Sequence, residues 1–444
     1  GRNWTLRGGD RYTELGGQTQ QCEFDKDLYI NPGPWRIPYH HNGMMHYIKL
    51  LGVPLEPFFQ VNYNAYLHSS RAFGGKPQRY REVKADYQGH VAELLAKATR
   101  QNALDAAVSK EDREILLESL REWGALDKDL NYRSSDVVSD RRGFEKTPGG
   151  GLSARPVHSK PVELHDVLES GLWAGIANAD TYDMQTALFQ PAGGMGRIGE
   201  AFGRELGEII RYNAKVTDIR QDERGVTVAY ADSRSPGAPQ TLRADWCLCT
   251  IPLPILSQIP MNVSQQLASA IASVPSAPAV KSGLQFKRRF WEEDEQIFGG
   301  ITYTDLPIMN IGYPNTGFQS RGKGVLLGAY IWGLRAMEFT AMAPQERVRR
   351  IVDYGSQIHP QYPKEFDNGV AVAWHRVPFA MGCFGTWTSE TRAKHYDVLC
   401  QINGRIALAG EHASFLGGWQ EGAVTSALDA VSRLHQRAVE GNKA

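Results

Sequence analysis

Apolar residues recur along this chain with two different periods, and the change of period marks out its regions. From Tyr12 to about Asn64, short alternating runs are broken by Pro and Gly, which predicts short strands and turns. Between 87 and 123 the period becomes helical. Val91, Leu94, Leu95 and Ala98 fall at i, i+3, i+4 and i+7, which predicts an apolar helix face. Ser109 with Asp112 three residues on resembles a capping box, and Gly124 supplies a stop. Pro148-Gly149-Gly150-Gly151 reads as a loop, and 164–173 reads as helical again. From Ala214 onward, alternation and β-branched residues predict strands at 216–219, 226–230 and 246–251. A second mixed region over 281–385 holds strands at 325–331 and 370–374. There is no internal repeat and no low-complexity tract.

The C-terminal pattern is the most informative. Gly404-Arg405-Ile406-Ala407-Leu408-Ala409-Gly410-Glu411-His412 reads as a buried strand that stops at a Gly-Glu pair. Gly418-Trp419-Gln420-Glu421-Gly422-Ala423-Val424 then opens a helix whose first turn is small and glycine-containing. Such a helix start carries unpaired N–H groups and partial positive charge, so it suits an anionic or electron-rich ligand. The plain alternative is a strand-turn-helix with a glycine for packing, a junction common in α/β folds. Gly194-Met195-Gly196-Arg197-Ile198-Gly199 spells a dinucleotide fingerprint, but only a short strand candidate interrupted by Pro191 precedes it. It is taken here as a helix start.

Composition narrows the picture. A chain of 444 residues with 42% hydrophobic content can bury a large core in two or three domains. Lys+Arg and Asp+Glu both number 49, so no net charge recruits nucleic acid or an anionic membrane. Five cysteines without metal-like spacing argue against a disulfide framework, and no metal is expected. Cys247 and Cys249 read as core residues on a strand, facing opposite sides. No apolar run reaches the length of a membrane span, so a soluble protein is expected, cytoplasmic in preference to other compartments.

Several of these segments together resemble the flavin amine oxidase family, which includes monoamine oxidases and L-amino-acid oxidases. The segment from Gly410 and Glu411 to Gly418–Ala423 resembles its C-terminal FAD motif. Gly1-Arg2-Asn3-Trp4-Thr5-Leu6 resembles the end of its G-G-R-x-x-T stretch, which would place the family's first βαβ unit, about 50 residues, upstream of residue 1. Glu14-Leu15-Gly16-Gly17 and Asn31-Pro32-Gly33-Pro34-Trp35-Arg36-Ile37-Pro38 resemble the segment that runs under the flavin into the substrate site. Asp245 to Pro252, Phe290-Trp291-Glu292 and Thr304-Asp305-Leu306-Pro307 follow in the family's order, the last two as in its amino-acid oxidases. The fold implied is α/β with mixed α+β character. A Rossmann-like FAD-binding domain, incomplete at its N-terminus, would comprise 1–3, 190–275 and 392–444. A mixed-sheet substrate domain would comprise 4–78 and 276–391, and a helical domain 79–189.

The same resemblance assigns residues. FAD would lie against Arg2, Gly33, Pro34, Trp35, Arg36, Val216, Gly410, Glu411, Gly418, Trp419, Gln420, Glu421 and Ala423. Arg36 presents a planar fork suited to a carboxylate, on a backbone stiffened by Pro34 and Pro38. In L-amino-acid oxidases an Arg in this place, with a Tyr matched here by Tyr330, binds the substrate α-carboxylate. A structural salt bridge and a core aromatic are the plain alternatives. Lys281 matches the lysine that holds a water near the flavin N5; the alternative is a solvent-facing strand lysine. Trp374 and Trp419 would wall the substrate side, with Gly418 beside them, and Trp173 would belong to the entrance. Cys383 stands where monoamine oxidases bond the flavin, yet Pro378-Phe379-Ala380-Met381-Gly382 is closer to the amino-acid oxidases, so non-covalent FAD is expected. The activity implied is FAD-dependent oxidation of L-amino acids by O2, with large apolar or aromatic side chains favoured. An amino-acid 2-monooxygenase, a plain amine oxidase and a silent flavin-fold subunit remain alternatives. A homodimer, or a second chain supplying the missing unit, is left open.

Overall fold

Residues Ala279–Phe286 are buried at every position, so this strand must be covered on both faces. The computed structural model describes residues 3–104, 108–152, 154–235 and 237–441, and it shows how. The strand lies inside a seven-stranded sheet ordered Phe366–Ala373, Ala279–Phe286, Gly324–Trp332, Asn310–Gly312, Ile301–Thr304, Tyr66–His68, Gln78–Arg79. The pairings are antiparallel except that of Ile301–Thr304 with Tyr66–His68. One face packs Val280, Leu284 and Phe286 among Phe290, Trp291, Tyr313 and Tyr362. The other packs Ala279 with Trp4, Leu6, Val372 and Trp374. Phe290 and Trp291 are therefore core residues.

A second group of elements carries the C-terminal pattern. Cys247–Cys249 and Ile406–Leu408 form a parallel pair, with Cys249 opposite Leu408. Beside them Ala214–Asp222, Gly225–Asp232 and Gln240–Ala244 form an antiparallel meander, the third strand of which is polar and exposed and gave no apolar signal in the sequence. Cys247 and Cys249 both pack on one cluster, which corrects the expectation of opposite sides: residues two apart on a strand share a face. All five cysteines are free.

The helical region corrects two sequence expectations. The run 87–123 is two helices, Tyr80–Arg100 and Lys110–Gly124. Ser109 caps the second, its Oγ accepting from the Asp112 N–H at 3.0 Å. The buried face of the first is built from Gly89, Ala92, Ala96 and Thr99, while Leu94 and Leu95 are exposed. Small residues let the helices approach closely, and a Cβ on Gly124 would stand 2.2 Å from the Ala92 Cβ. Gly124 therefore serves packing, and Ala125 takes the left-handed cap position. The run 164–173 is likewise broken, into Leu164–Glu169 and Trp173–Ala179.

The apparent fingerprint at Gly194–Gly199 opens the helix Gly196–Leu206. Its first N–H groups are taken internally, Met195 donating to Asn31 Oδ1 and Gly196 to Thr5 Oγ1. A Cβ at Gly194 would stand 2.5 Å from that same Thr5 hydroxyl. No phosphate can occupy this turn while those bonds hold.

Candidate functional site

Lys281 and Tyr330 are register partners on adjacent strands, so their side chains leave the sheet on one face. Trp374 follows the end of the neighbouring strand, and its indole donates to the Pro32 carbonyl at 2.7 Å. The Lys281 ammonium donates to the carbonyl of Gly33. These two bonds hold the Pro-Gly-Pro-Trp-Arg segment against the sheet. Trp35 then lies over Gly312, where a Cβ would stand 2.2 Å from its ring. The result is a cavity of about 380 Å³. Gly33, Pro34, Trp35, Arg36, Lys281, Tyr330, Trp374 and Cys383 line one side. Glu411, Gly418, Trp419, Gln420 and Ala423 line the other.

Arg36 decides what this cavity can hold. Its guanidinium is buried, its Nε has no partner, and among the described residues no carboxylate pairs with it. Its recorded hydrogen bond runs from Nη2 to the Met184 sulfur at 2.8 Å, a weak acceptor. The rings of Trp35, Trp419 and Phe58 stand 5.5, 5.7 and 5.9 Å from it. Burial lowers its pKa from the usual arginine range. A buried cation with an unpaired donor is costly unless a ligand supplies the counter-charge.

Lys281 is equally enclosed, which removes the solvent-facing alternative. Its Nζ stands 3.9 Å from the Tyr330 ring centroid and 5.5 Å from that of Trp35. Burial brings its pKa down to about 7, against a smaller opposing pull from Cys383. Burial raises the Tyr330 phenol well above its usual value. It also raises the Cys383 thiol, which disfavours the nucleophilic thiolate. Tyr330 stacks on Trp332 with centroids 3.9 Å apart.

The opposite wall fits a flavin. Glu411 ties it together, accepting from Gly385 N–H at 2.8 Å and Gly418 N–H at 3.2 Å. Gly418 has φ of +80°, a conformation that favours glycine, and the adjoining Gly417 also lines the cavity. The helix Gln420–Gly441 starts at this wall, with the small Ala423 facing the space.

Four expected residues are placed elsewhere. Trp173 is 41% exposed and its indole turns back to the Leu168 carbonyl. Val216 packs on the cluster around the parallel strand pair. Glu421 caps the helix Asn42–Leu50, accepting from the N–H groups of Gly43 and Met44 at 2.9 and 2.7 Å. Gly410, at φ of +144°, donates its N–H to the Ser426 hydroxyl, and its carbonyl accepts from that hydroxyl and from the Ala413 N–H. Glu14 also leaves the cavity, for a buried ion pair with Arg347, while Gly16 and Gly17 are exposed. Arg2 lies outside the described residues.

Sequence reasoning missed His41, Met184, Phe202, Trp332 and Phe384, all of which line the cavity. Trp332 was legible in principle, since it stands two residues past Tyr330 on one strand face. Met184 and Phe202 come from distant segments and carried no local signal.

The family model described as flavin-containing amine oxidoreductase matches residues 12–435. The chain belongs to this family and is a flavoprotein oxidoreductase. It is 26% identical over 423 residues to the putative L-amino-acid oxidase YobN of Bacillus subtilis, covering 92% of this chain and 85% of that one. It is 26% identical over 445 residues to the L-amino-acid oxidase of Siganus canaliculatus, covering 96% and 80%. Among solved structures, cyclohexylamine oxidase from Brevibacterium oxydans superposes with a TM-score of 0.59 at 16% identity, over 98% of this chain and 93% of that chain. Putrescine oxidase bound to putrescine gives 0.57 at 14%, over 97% and 92%. The structural likeness establishes the shared fold. Among the described residues no helix is long and apolar enough to cross a membrane.

Proposed function

We propose that the chain is an FAD-dependent L-amino-acid oxidase that converts its substrate to the 2-oxo acid, ammonia and hydrogen peroxide. The observation that carries this reading is Arg36: a buried guanidinium, with no carboxylate at ion-pair distance among the described residues, facing a largely apolar, aromatic-lined cavity. An α-carboxylate supplies the missing counter-charge in a bidentate contact. A simple amine does not. The names of the curated relatives agree with this choice.

Gly33, Pro34, Trp35, Glu411, Gly418 and Ala423 would hold the flavin, which when bound would supply hydride acceptance from the substrate Cα and two-electron transfer to oxygen. The chain's own residues bind, orient and handle protons. Arg36 holds the carboxylate, and Tyr330, on the strand opposite Lys281, donates from its phenol, which burial keeps protonated. Lys281, with its pKa near neutrality, takes a proton at Nζ from the substrate ammonium, and in its charged form favours negative charge developing nearby. Trp332, Trp374, Trp419, Phe202 and Ile198 exclude water and fit large apolar or aromatic side chains. Non-covalent attachment is supported by the burial of the Cys383 thiol, which raises its pKa and disfavours the thiolate.

The three-part division belongs to the same reading. The seven-stranded sheet draws on residues 66–79 and 279–373, all within the proposed substrate domain but for Arg79, where the helical domain begins. The parallel pair and the C-terminal helix serve the FAD-binding domain, and the two long helices the helical one.

Oxygen uptake by the flavin-loaded protein, measured with L-amino acids and with their decarboxylated amines, tests the reading. Amino acids should be the better substrates and 2-oxo acid the product. Faster turnover of the amines would overturn it in favour of an amine oxidase, and dominant amide product in favour of a monooxygenase.

A further inference from the structure

At one edge of the cavity, a second cluster is not used by the proposed chemistry. His40, His41 and Asp183 bring their ligating atoms within 4.8 Å of one another, the one such group among the described residues. We infer that these three side chains form a binding site for a divalent transition-metal ion of the Zn²⁺ type, and that the bound ion pins the 182–184 segment over the cavity.

The geometry suits such an ion. Asp183 Oδ1 stands 3.0 Å from His40 Nε2 and 3.5 Å from His41 Nε2. Ligands of a tetrahedral Zn²⁺ with bonds of about 2.0–2.1 Å are separated by about 3.3 Å. A hydrogen-bonded triad accounts for the arrangement less completely. Asp183 partners His40 Nε2, but the buried His41 Nε2, like His40 Nδ1 on the far side of its ring, is left without a hydrogen-bond partner. Both rings are fixed: His40 stacks on Tyr182 with centroids 4.0 Å apart, and His41 meets the Trp419 ring edge-on at 5.1 Å. Asp183 is 32% exposed, which gives the ion a way in. Two imidazoles and one carboxylate favour Zn²⁺ over Mg²⁺ or Ca²⁺, and a fourth position stays open for water.

The ion would act on the substrate site through the chain itself. Met184 follows Asp183 and holds its sulfur on Arg36. Fixing Asp183 fixes that contact, so Zn²⁺ should raise the KM for the amino acid and leave kcat little changed. This consequence rests on the proposed oxidase activity; the metal site does not.

The test uses flavin-loaded protein. Zn²⁺ titration by calorimetry should show one strong site per chain. Co²⁺ should give tetrahedral absorption bands above 550 nm, beyond the flavin. Asp183→Asn and His40→Asn should each weaken Zn²⁺ binding by about a hundredfold and abolish the Co²⁺ bands. An unchanged flavin spectrum and melting temperature would show that the variants fold. Absent Co²⁺ bands in the parent, or bands and Zn²⁺ stoichiometry that survive in both variants, would overturn the site. Bands that appear and vanish as expected in a protein that does not oxidise amino acids would uphold the site and sink only the reading of the cavity.

Discussion

Among the buried arginines of this molecule, Arg347 and Arg36 are treated in opposite ways. Arg347, fully inaccessible, faces Glu14 with both ends of its fork, the second contact at 2.9 Å, and its Nε donates to the Phe339 carbonyl at 2.8 Å. Arg36 has a thioether, three aromatic rings and an orphaned Nε. Removing either partner of a satisfied buried pair leaves an uncompensated charge. A buried arginine without a partner is instead a charge the fold tolerates for a ligand's sake. Stability should therefore depend on the first, and activity on the second.

The largest effect should come from Arg347→Met. It leaves the Glu14 carboxylate, 1% exposed, to the Gln20 amide and to Arg376 at 4.0 Å, and should cost about 3–5 kcal/mol of stability. The melting temperature should fall steeply, while turnover per folded, flavin-loaded molecule stays near that of the parent. Arg36→Met should invert this pattern. Its melting temperature should hold or rise, since an unpaired buried cation is removed. Its kcat/KM for amino acids should fall about a hundredfold, roughly 3 kcal/mol, because the substrate carboxylate loses its bidentate partner. Tyr330→Phe should cost about 1 kcal/mol in the same assay. Equal losses of stability in the two arginine variants would erase the distinction between them.

The comparison also shows what a sequence can convey. Trp35, Arg36, Lys281, Tyr330, Trp374 and Trp419 were legible because each sits in a motif with a known neighbourhood, and the cavity gathers all six. Glu14 lay in such a motif too, and was misplaced. Its partner is 333 residues away, and nothing local marks which buried arginine a carboxylate will join. The fold class was implied by the family resemblance, and the strands at 216–219 and 226–230 followed from alternation and β-branched residues. The face of Tyr80–Arg100 did not, because periodicity scores large apolar residues, whereas close helix approach selected Gly and Ala. Met184 and His41 reach the cavity through tertiary packing alone, so no spacing could announce them.

Lys281 sharpens the contrast by a smaller effect. It too is a buried cation with no carboxylate at ion-pair distance among the described residues, but its proton is labile, with a pKa brought down to about 7 by burial. Above that value the neutral amine can accept a proton from substrate; below it the ammonium is charged. Anaerobic flavin reduction should therefore rise with pH through about 7. Reoxidation by oxygen, which a cation favours, should fall over the same interval. Lys281→Met should flatten both profiles and slow reoxidation the more, by about tenfold, with the flavin retained. Stopped-flow traces at the oxidised flavin band separate the two steps. Unaltered profiles in the variant would mean that another group titrates.

The smallest effect should come from Met184, where the unpaired state of Arg36 can be adjusted without touching the guanidinium. Its sulfur takes one N–H of the fork at 2.8 Å. An incoming carboxylate must displace that contact, and a thioether is a weak acceptor, so the displacement costs little. Met184→Leu keeps the bulk and removes the acceptor. The KM for the amino acid should fall by about twofold, near 0.4 kcal/mol, while kcat holds, because the contact belongs to the substrate-free state alone. The melting temperature should barely move, since the two side chains have similar volumes. A tenfold change in KM, or any loss of kcat, would mean that Met184 shapes the cavity during turnover. In that case the charge on Arg36 would be held for the protein as well as for its ligand, and the difference from Arg347 would be one of degree.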